Sequence, residues 1–183
     1  MKFADNQVVV SLGSNHHSEQ NVVIALDALY ETFGKLKVAS IYNVPPYGSN
    51  VNQPQENPRH YLNTVVSFCS DCSVAEVQSV LRQIEAQCGR DRSTDLVAMD
   101  IDFLFYGDQK DGASVPRIDA LQCAYVLKPL AEIFPHIVPP LLEKSFSQLW
   151  ECFEGQQELH AVDFVWQQQL ISVAPPCVAM SFN

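Results

Sequence analysis

Apolar positions along this chain change period several times, and each change marks an element. Val8-Val9-Val10-Ser11-Leu12 is a short β-branched run closed by Gly13-Ser14-Asn15, which predicts a strand followed by a turn. From Ser18 onward, Val22, Val23, Leu26, Leu29, Tyr30 and Phe33 fall at helical spacing until Gly34 stops them. Leu36 to Tyr42 reads as a second strand. Asn43 to His60 carries Pro45, Pro46, Pro54 and Pro58 and reads as a long loop, a candidate lid. Tyr61 to Cys69 is a third strand. Ser73, with Glu76 three residues on, forms a capping box ahead of a helix whose apolar face is Val77, Val80, Leu81 and Ile84 and which ends at Gly89. Met99 to Tyr106 is a fourth strand.

The order β-α-β-loop-β-α-β predicts an α+β fold with a ferredoxin-like split βαβ core. Its sheet is antiparallel-rich, and its helices flank one face. Further on, Tyr125 to Phe134 is helical up to Pro135, and Phe146 to Phe153 is a short helix. Leu159 to Trp166 alternates partly, as an added strand would. Residues 173–183, with Pro175-Pro176, read as a tail packed on the surface or loosely ordered. The expected division is a main domain over 1–153 and a C-terminal extension over 154–183. A chain of 183 residues, 47% hydrophobic and 17% charged, has the makings of one globular core. No apolar run is long enough to span a membrane, and the first residues lack a signal-peptide pattern, so the expectation is a cytoplasmic protein with no membrane attachment.

Net charge is −10, which argues against nucleic acid as a partner and makes any anionic ligand depend on local cations. The five arginines are Arg59, Arg82, Arg90, Arg92 and Arg117, and three of them fall in one eleven-residue stretch. Compensation of a helix dipole would account for Arg82 and Arg90, but less well for Arg92, which lies past Gly89. Just downstream stands Asp100-Ile101-Asp102. In a strand both carboxylates project from one face, roughly 7 Å apart. Paired like charges on an apolar strand are costly unless neutralised, and Mg²⁺ with substrate phosphates would do that; the alternative is a solvated strand end. Cys69-Ser70-Asp71-Cys72 has no second pair at similar spacing, so ordinary thiols are favoured over a zinc site. His16-His17, adjacent in a loop, is a weak metal site.

Several segments, taken in order, resemble one family. Val9-Val10-Ser11-Leu12-Gly13-Ser14-Asn15 looks like the opening strand and turn of 6-hydroxymethyl-7,8-dihydropterin pyrophosphokinase. Tyr42 to Gly48 is similar to its pterin-side loop, and Tyr61-Leu62-Asn63 to the start of its next strand. Ile84-Glu85 with Gly89-Arg90-Asp91-Arg92 resembles its helix-end arginine motif, Asp100-Ile101-Asp102 its magnesium aspartates, and Leu127 to Ile133 its late helix. The resemblance covers roughly residues 7–153. It implies transfer of pyrophosphate from ATP to a dihydropterin in folate synthesis, with small molecules as the partners. Asp100 and Asp102 would hold two Mg²⁺ ions, and Arg90 and Arg92 would clamp phosphate oxygens. Val44, Pro45, Pro46, Tyr47, Tyr61, Asn63 and Tyr125 would form the pterin side.

The departures are local. The family places an Arg-aromatic pair and a Gly-Pro-Arg segment ahead of the first aspartate. Here Ser93 to Met99 is shorter and holds no Arg, Trp or Pro. Arg117 stands where the family has a nucleotide-contacting His, and Cys123 where it has an Arg. Arg117 is therefore the candidate for the remaining nucleotide contact. Two readings follow: a working pyrophosphokinase with a trimmed loop, or a catalytically impaired paralogue that binds pterin or nucleotide.

Overall fold

The structure, a computed structural model, describes residues 4, 6–45, 59–107, 118–139, 142–155 and 157–176. The strands are β1 (Gln7–Ser14), β2 (Lys37–Val38), β3 (Tyr42–Val44), β4 (Tyr61–Cys69), β5 (Asp100–Tyr106), β6 (His160–Ala161), β7 (Phe164–Trp166) and β8 (Gln169–Ser172). The helices are α1 (Ser18–Phe33), α2 (Val74–Gln87), α3 (Ala124–Ile133) and α4 (Phe146–Glu151), with a 3-10 turn at Ile118–Gln122. The main sheet runs β5-β1-β4-β3-β6, with β2 also on β4, and every pairing is antiparallel. With β2 and β3 taken as one broken strand, this is the split βαβ order predicted from the sequence.

The break corrects the reading of Leu36 to Tyr42 as one continuous strand. Ala39 still donates to the Val65 carbonyl at 3.0 Å, but the backbone of Ile41 turns elsewhere. Its N–H goes to Ser172 Oγ at 2.9 Å and its carbonyl accepts from Val162 N at 3.0 Å. The C-terminal segment thus takes the groups that a continuous strand would have given to β4. Pairing resumes at Tyr42 and runs through Val44, two residues into the expected loop. The rest of that loop, 46–58, lies outside the described residues, as does the tail from 177.

The ends of α1 and α2 follow the sequence. Gly34, at φ +78°, closes α1 by donating to the Tyr30 carbonyl at 2.9 Å. The capping box of α2 is formed: Ser73 Oγ accepts from Glu76 N at 3.4 Å, and Glu76 Oε2 accepts from Ser73 N at 2.7 Å.

Helices cover both faces of the sheet rather than one. Val8, Val10, Leu12, Val66 and Phe68 pack under α1 and α2. Val9, Val65, Leu104 and Phe105 pack under α3 and α4. This is why Val8-Val9-Val10 is continuously apolar instead of alternating. A bulge in β5, where Val9 faces Phe105 but Val10 faces Phe103, leaves Leu104 as an extra residue. Leu104 and Phe105 therefore both enter the α3 core, while Phe103 and Tyr106 turn towards α1 and α2.

The single added strand expected over Leu159 to Trp166 is two elements. β6 pairs with β3, and β7 forms a hairpin with β8. The hairpin turns at Gln167 and Gln168, both at positive φ, without the Gly or Asn that would announce such a turn. It packs on α1 through Trp166, whose Nε1 donates to Asp27 Oδ1 at 2.8 Å and whose ring meets Tyr30 edge-on. Cys69, Cys72, Cys88, Cys123 and Cys152 are free thiols. Burial, with Glu85 adding to it, pushes the Cys88 thiol up to about 11. No helix among the described residues is long and apolar enough to cross a membrane.

Candidate active site

Strand β1 lies between β4 and β5, and its register sets out the floor of a cavity. Ser11 is flanked by Val65 on one side and Asp102 on the other; Gly13 is flanked by Asn63 and Asp100. Side chains two apart share a face, so Ser11, Gly13, Asn63, Asp100 and Asp102 all look toward α3. Ile101, between the aspartates, is buried under α1 and α2. Val44, Pro45 and Tyr61 form one wall and Tyr125 of α3 another, enclosing about 260 Å³. The structure thus gathers seven residues named from the sequence: Val44, Pro45, Tyr61, Asn63, Asp100, Asp102 and Tyr125. Pro46, Tyr47 and Arg117 lie outside the described residues.

The floor is tight at one point. A Cβ on Gly13 would stand 2.9 Å from Asn63 Oδ1, so the absence of a side chain there leaves the Asn63 amide room beside the cavity. Asn63 itself is 8% exposed. The phenol of Tyr61 is pushed above its usual range by burial. The Arg90 guanidinium opposes that shift, and the Asp100 and Asp95 carboxylates add to it. Tyr61, Arg90 and Asp100 therefore share one electrostatic neighbourhood.

Arg90 and Arg92 do not line this cavity. Arg90 Nη1 donates to the Leu96 carbonyl at 3.2 Å, while its Nε is buried with no hydrogen-bond partner among the described residues. Arg92 is largely exposed, with Nη2 3.5 Å from Glu85 Oε2. The buried Glu85 carboxylate uses its other oxygen to accept the Ile101 N–H at 2.9 Å.

A second groove of about 500 Å³ opens on the outer side of β5, which is the sheet's edge strand. Gln78, Leu81, Arg82 and Glu85 of α2 form one bank, with Arg92 beside them, and Asp100 to Phe103 form the other. Both aspartates line both cavities. Sequence reasoning missed Ser11, Gly13, Gln78 and Arg82 as lining residues. The available signal was the spacing of Gln78, Arg82 and Glu85 at i, i+4 and i+7, which puts a polar stripe on one face of α2. Dipole compensation does not account for Arg82, since no basic residue lies in the last turn of that helix.

The shortened segment before the aspartates is closed against the first turn. Ser14 Oγ donates to the Ala98 carbonyl at 2.7 Å, Asn15 N to the Val97 carbonyl at 2.9 Å, and Val97 N to Asn15 Oδ1 at 2.7 Å. Within the segment, Asp91 Oδ1 accepts from Ser93 N and Oγ, which holds the Asp91 carboxyl below its usual range. On the far side of the sheet's α3 layer, the Tyr42 hydroxyl donates to Glu132 Oε1, and Ser40 N donates to Glu132 Oε2 at 3.1 Å. This clasp ties α3, and with it Tyr125, to the break between β2 and β3. Burial and then the Glu132 carboxylate raise the Tyr42 phenol well above its ordinary value.

Among the described residues no group of three or more His, Cys, Asp or Glu side chains gathers as a ready-made metal cage. Two carboxylates at the rim of a cleft nevertheless suit Mg²⁺, a hard cation that completes its octahedron with water and phosphate oxygens.

The family model described as 7,8-dihydro-6-hydroxymethylpterin-pyrophosphokinase matches residues 9–135. Among solved structures, the chain is similar to Plasmodium falciparum HPPK-DHPS, wild type, with pteroate, at a TM-score of 0.61 and 14% identity. The match covers 82% of this chain and 43% of that one. A single-substitution form of the same protein, also with pteroate, matches at a TM-score of 0.56 and 14% identity, over 81% of this chain and 43% of that one. At this identity the likeness establishes the fold. The chain spans less than half the length of these structures.

Proposed function

Because this chain belongs to the 7,8-dihydro-6-hydroxymethylpterin-pyrophosphokinase family, we propose that it transfers the pyrophosphoryl group of ATP to the hydroxymethyl oxygen of 6-hydroxymethyl-7,8-dihydropterin in folate synthesis. The hydroxymethyl oxygen forms a bond to the β-phosphorus. The bond from that phosphorus to the bridging α-phosphate oxygen breaks, AMP leaves with the electron pair, and the hydroxyl proton is released to solvent. The observation that carries this reading is that Asp100 and Asp102 line two cavities at once, one on each side of an edge strand. A two-substrate transfer needs its reacting atoms brought together at one charged boundary, and positioning supplies most of the catalysis.

In this reading the β1 cavity takes the pterin. Tyr125 offers an aromatic face, and Asn63 offers one acceptor and two donors to the amide-like edge of the ring. Val44 and Pro45 complete the wall, with Pro46 and Tyr47 continuing it. The groove beside α2 takes the nucleotide, with Arg117 as a further contact. That the buried Nε of Arg90 has no hydrogen-bond partner among the described residues supports a phosphate clamp at that residue, since an anionic oxygen would satisfy a donor that is costly to leave bare. Arg92, exposed at the groove's rim, would turn to phosphate from its contact with Glu85.

Asp100 and Asp102 would hold the Mg²⁺ ions, two by the family pattern, which neutralise triphosphate charge and polarise its oxygens. The same reading makes 1–153 the catalytic domain and 154–183 an extension packed on or trailing from it. The contacts of Trp166 with α1 and of Ser172 with Ile41 support packing for the stretch that carries them.

The test is direct. Purified protein with Mg²⁺, ATP and hydroxymethyl-dihydropterin should release AMP and pterin diphosphate in equal amounts, resolved by ion-exchange chromatography. Absence of AMP above a protein-free blank, with both ligands bound by calorimetry, would overturn the proposal in favour of a binding protein.

A further inference from the structure

We infer that Arg82 is a phosphate-binding residue of the nucleotide groove, supplying from α2 a cation that the trimmed loop no longer provides. The inference rests on the kinase reading above and adds to it a residue that no part of the resemblance names. Arg82 lines the outer groove opposite Asp100 and Asp102.

The argument begins with charge. The protein carries a net −10, and the groove itself holds Asp100, Asp102 and Glu85. Two divalent ions would offset a triphosphate's own charge of about −4 and leave the three groove carboxylates uncompensated, so the site gains from fixed cations. Between Cys69 and Asp100 the only Lys or Arg residues are Arg82, Arg90 and Arg92. The other two are partly committed: Arg90 to the Leu96 carbonyl, Arg92 to the Glu85 carboxylate. Arg82 has no ion pair or side-chain hydrogen bond among the described residues, and it stands too far from the end of α2 to serve its dipole. Its guanidinium therefore has its full set of donors to give.

Placement strengthens the case. Arg82 follows Gln78 and precedes Glu85 on one helical stripe, and Glu85 is bonded to the backbone of β5. The cation is thus carried on a rigid helix fixed in register with the aspartates, which lowers the entropy lost on engaging a ligand. A planar guanidinium also matches phosphate oxygens in a way an ammonium does not.

Calorimetry on the full chain tests this with two probes, MgATP and adenosine, against Arg82→Gln and Arg82→Lys. Arg82→Gln should weaken MgATP binding about tenfold, the loss expected for a part-exposed charge-assisted contact, and leave adenosine binding as it was. Arg82→Lys should recover part of the loss. KM for ATP should rise in parallel while KM for the pterin stays put. An unchanged MgATP affinity in Arg82→Gln, with wild type releasing AMP, removes Arg82 from the site and leaves the kinase reading intact. An equal loss for adenosine moves the contact to the base and overturns the phosphate assignment. Wild-type protein that binds no MgATP removes both.

Discussion

The Glu85 carboxylate accepts the Ile101 N–H at 2.9 Å, on β5 and midway between Asp100 and Asp102. One buried side chain of α2 thereby fixes the height of both aspartates. Glu85→Ala should destabilise the protein by about 1–3 kcal/mol, because it strands a backbone donor that the fold keeps from water. Glu85→Gln, which keeps an acceptor oxygen, should lose less. Urea unfolding of the three proteins checks the order, and equal stability of Glu85→Ala and wild type would show the bond to be incidental.

Replacing Asp102 by Asn preserves shape and removes one charge at the boundary of the two cavities. AMP release should fall by about three orders of magnitude, the scale expected when a principal metal ligand is lost. The far-UV circular dichroism should remain that of wild type. A near-normal rate would sink the assignment of the aspartates.

Gly13→Ala should act on one substrate only. The added Cβ meets Asn63 Oδ1 at 2.9 Å and must displace that amide from the cavity floor. KM for the pterin should rise about tenfold, since a misplaced polar partner costs roughly one good hydrogen bond. KM for ATP should hold steady, and a parallel rise in both would contradict the division of the two cavities.

The Tyr42 phenol, raised by burial and by Glu132, gives an alkaline signature. Its pKa is higher in the folded than in the unfolded chain. The associated stability is therefore complete below the ordinary phenol value of about 10 and erodes as pH climbs past it. Tyr42→Phe should be less stable than wild type near neutrality by about 1 kcal/mol, having lost the bond to Glu132. It should also lose less stability between neutral and strongly alkaline buffer. Denaturant melts at the two pH values compare the slopes, and a steeper decline in the variant would count against the clasp.

The parts of the fold that the sequence foretold are those where local chemistry and tertiary packing agree. Ser73 and Glu76 cap α2 by a rule confined to four residues, and Gly34 ends α1 at positive φ. The break at Ile41 was illegible, because its cause, Ser172, lies more than a hundred residues away. The β7–β8 hairpin escaped notice since Gln167 and Gln168 carry no turn signature. At the site, the aspartates stood out as paired carboxylates in an apolar strand, whereas Asn63 was marked only by the family resemblance. Gln78 did not stand out, because a polar residue on a solvated helix face looks ordinary until the facing strand is known, and Arg82, noticed in the arginine cluster, was accounted for by the helix dipole. Glu85, named within the arginine motif, had no role until Ile101 was seen beside it.

The sheet's border at β5, an edge strand among the described residues, has a consequence for the protein in a crowded solution. An exposed strand is a template on which another molecule's strand can dock and begin a fibre. Here a newcomer would find the Ile101 donor already occupied and two negative side chains flanking it. The opposite border ends in β6, only two residues long. Among the described residues neither margin offers a docking partner a long, uncharged run of free backbone, so the same two acids would also discourage edge-to-edge pairing.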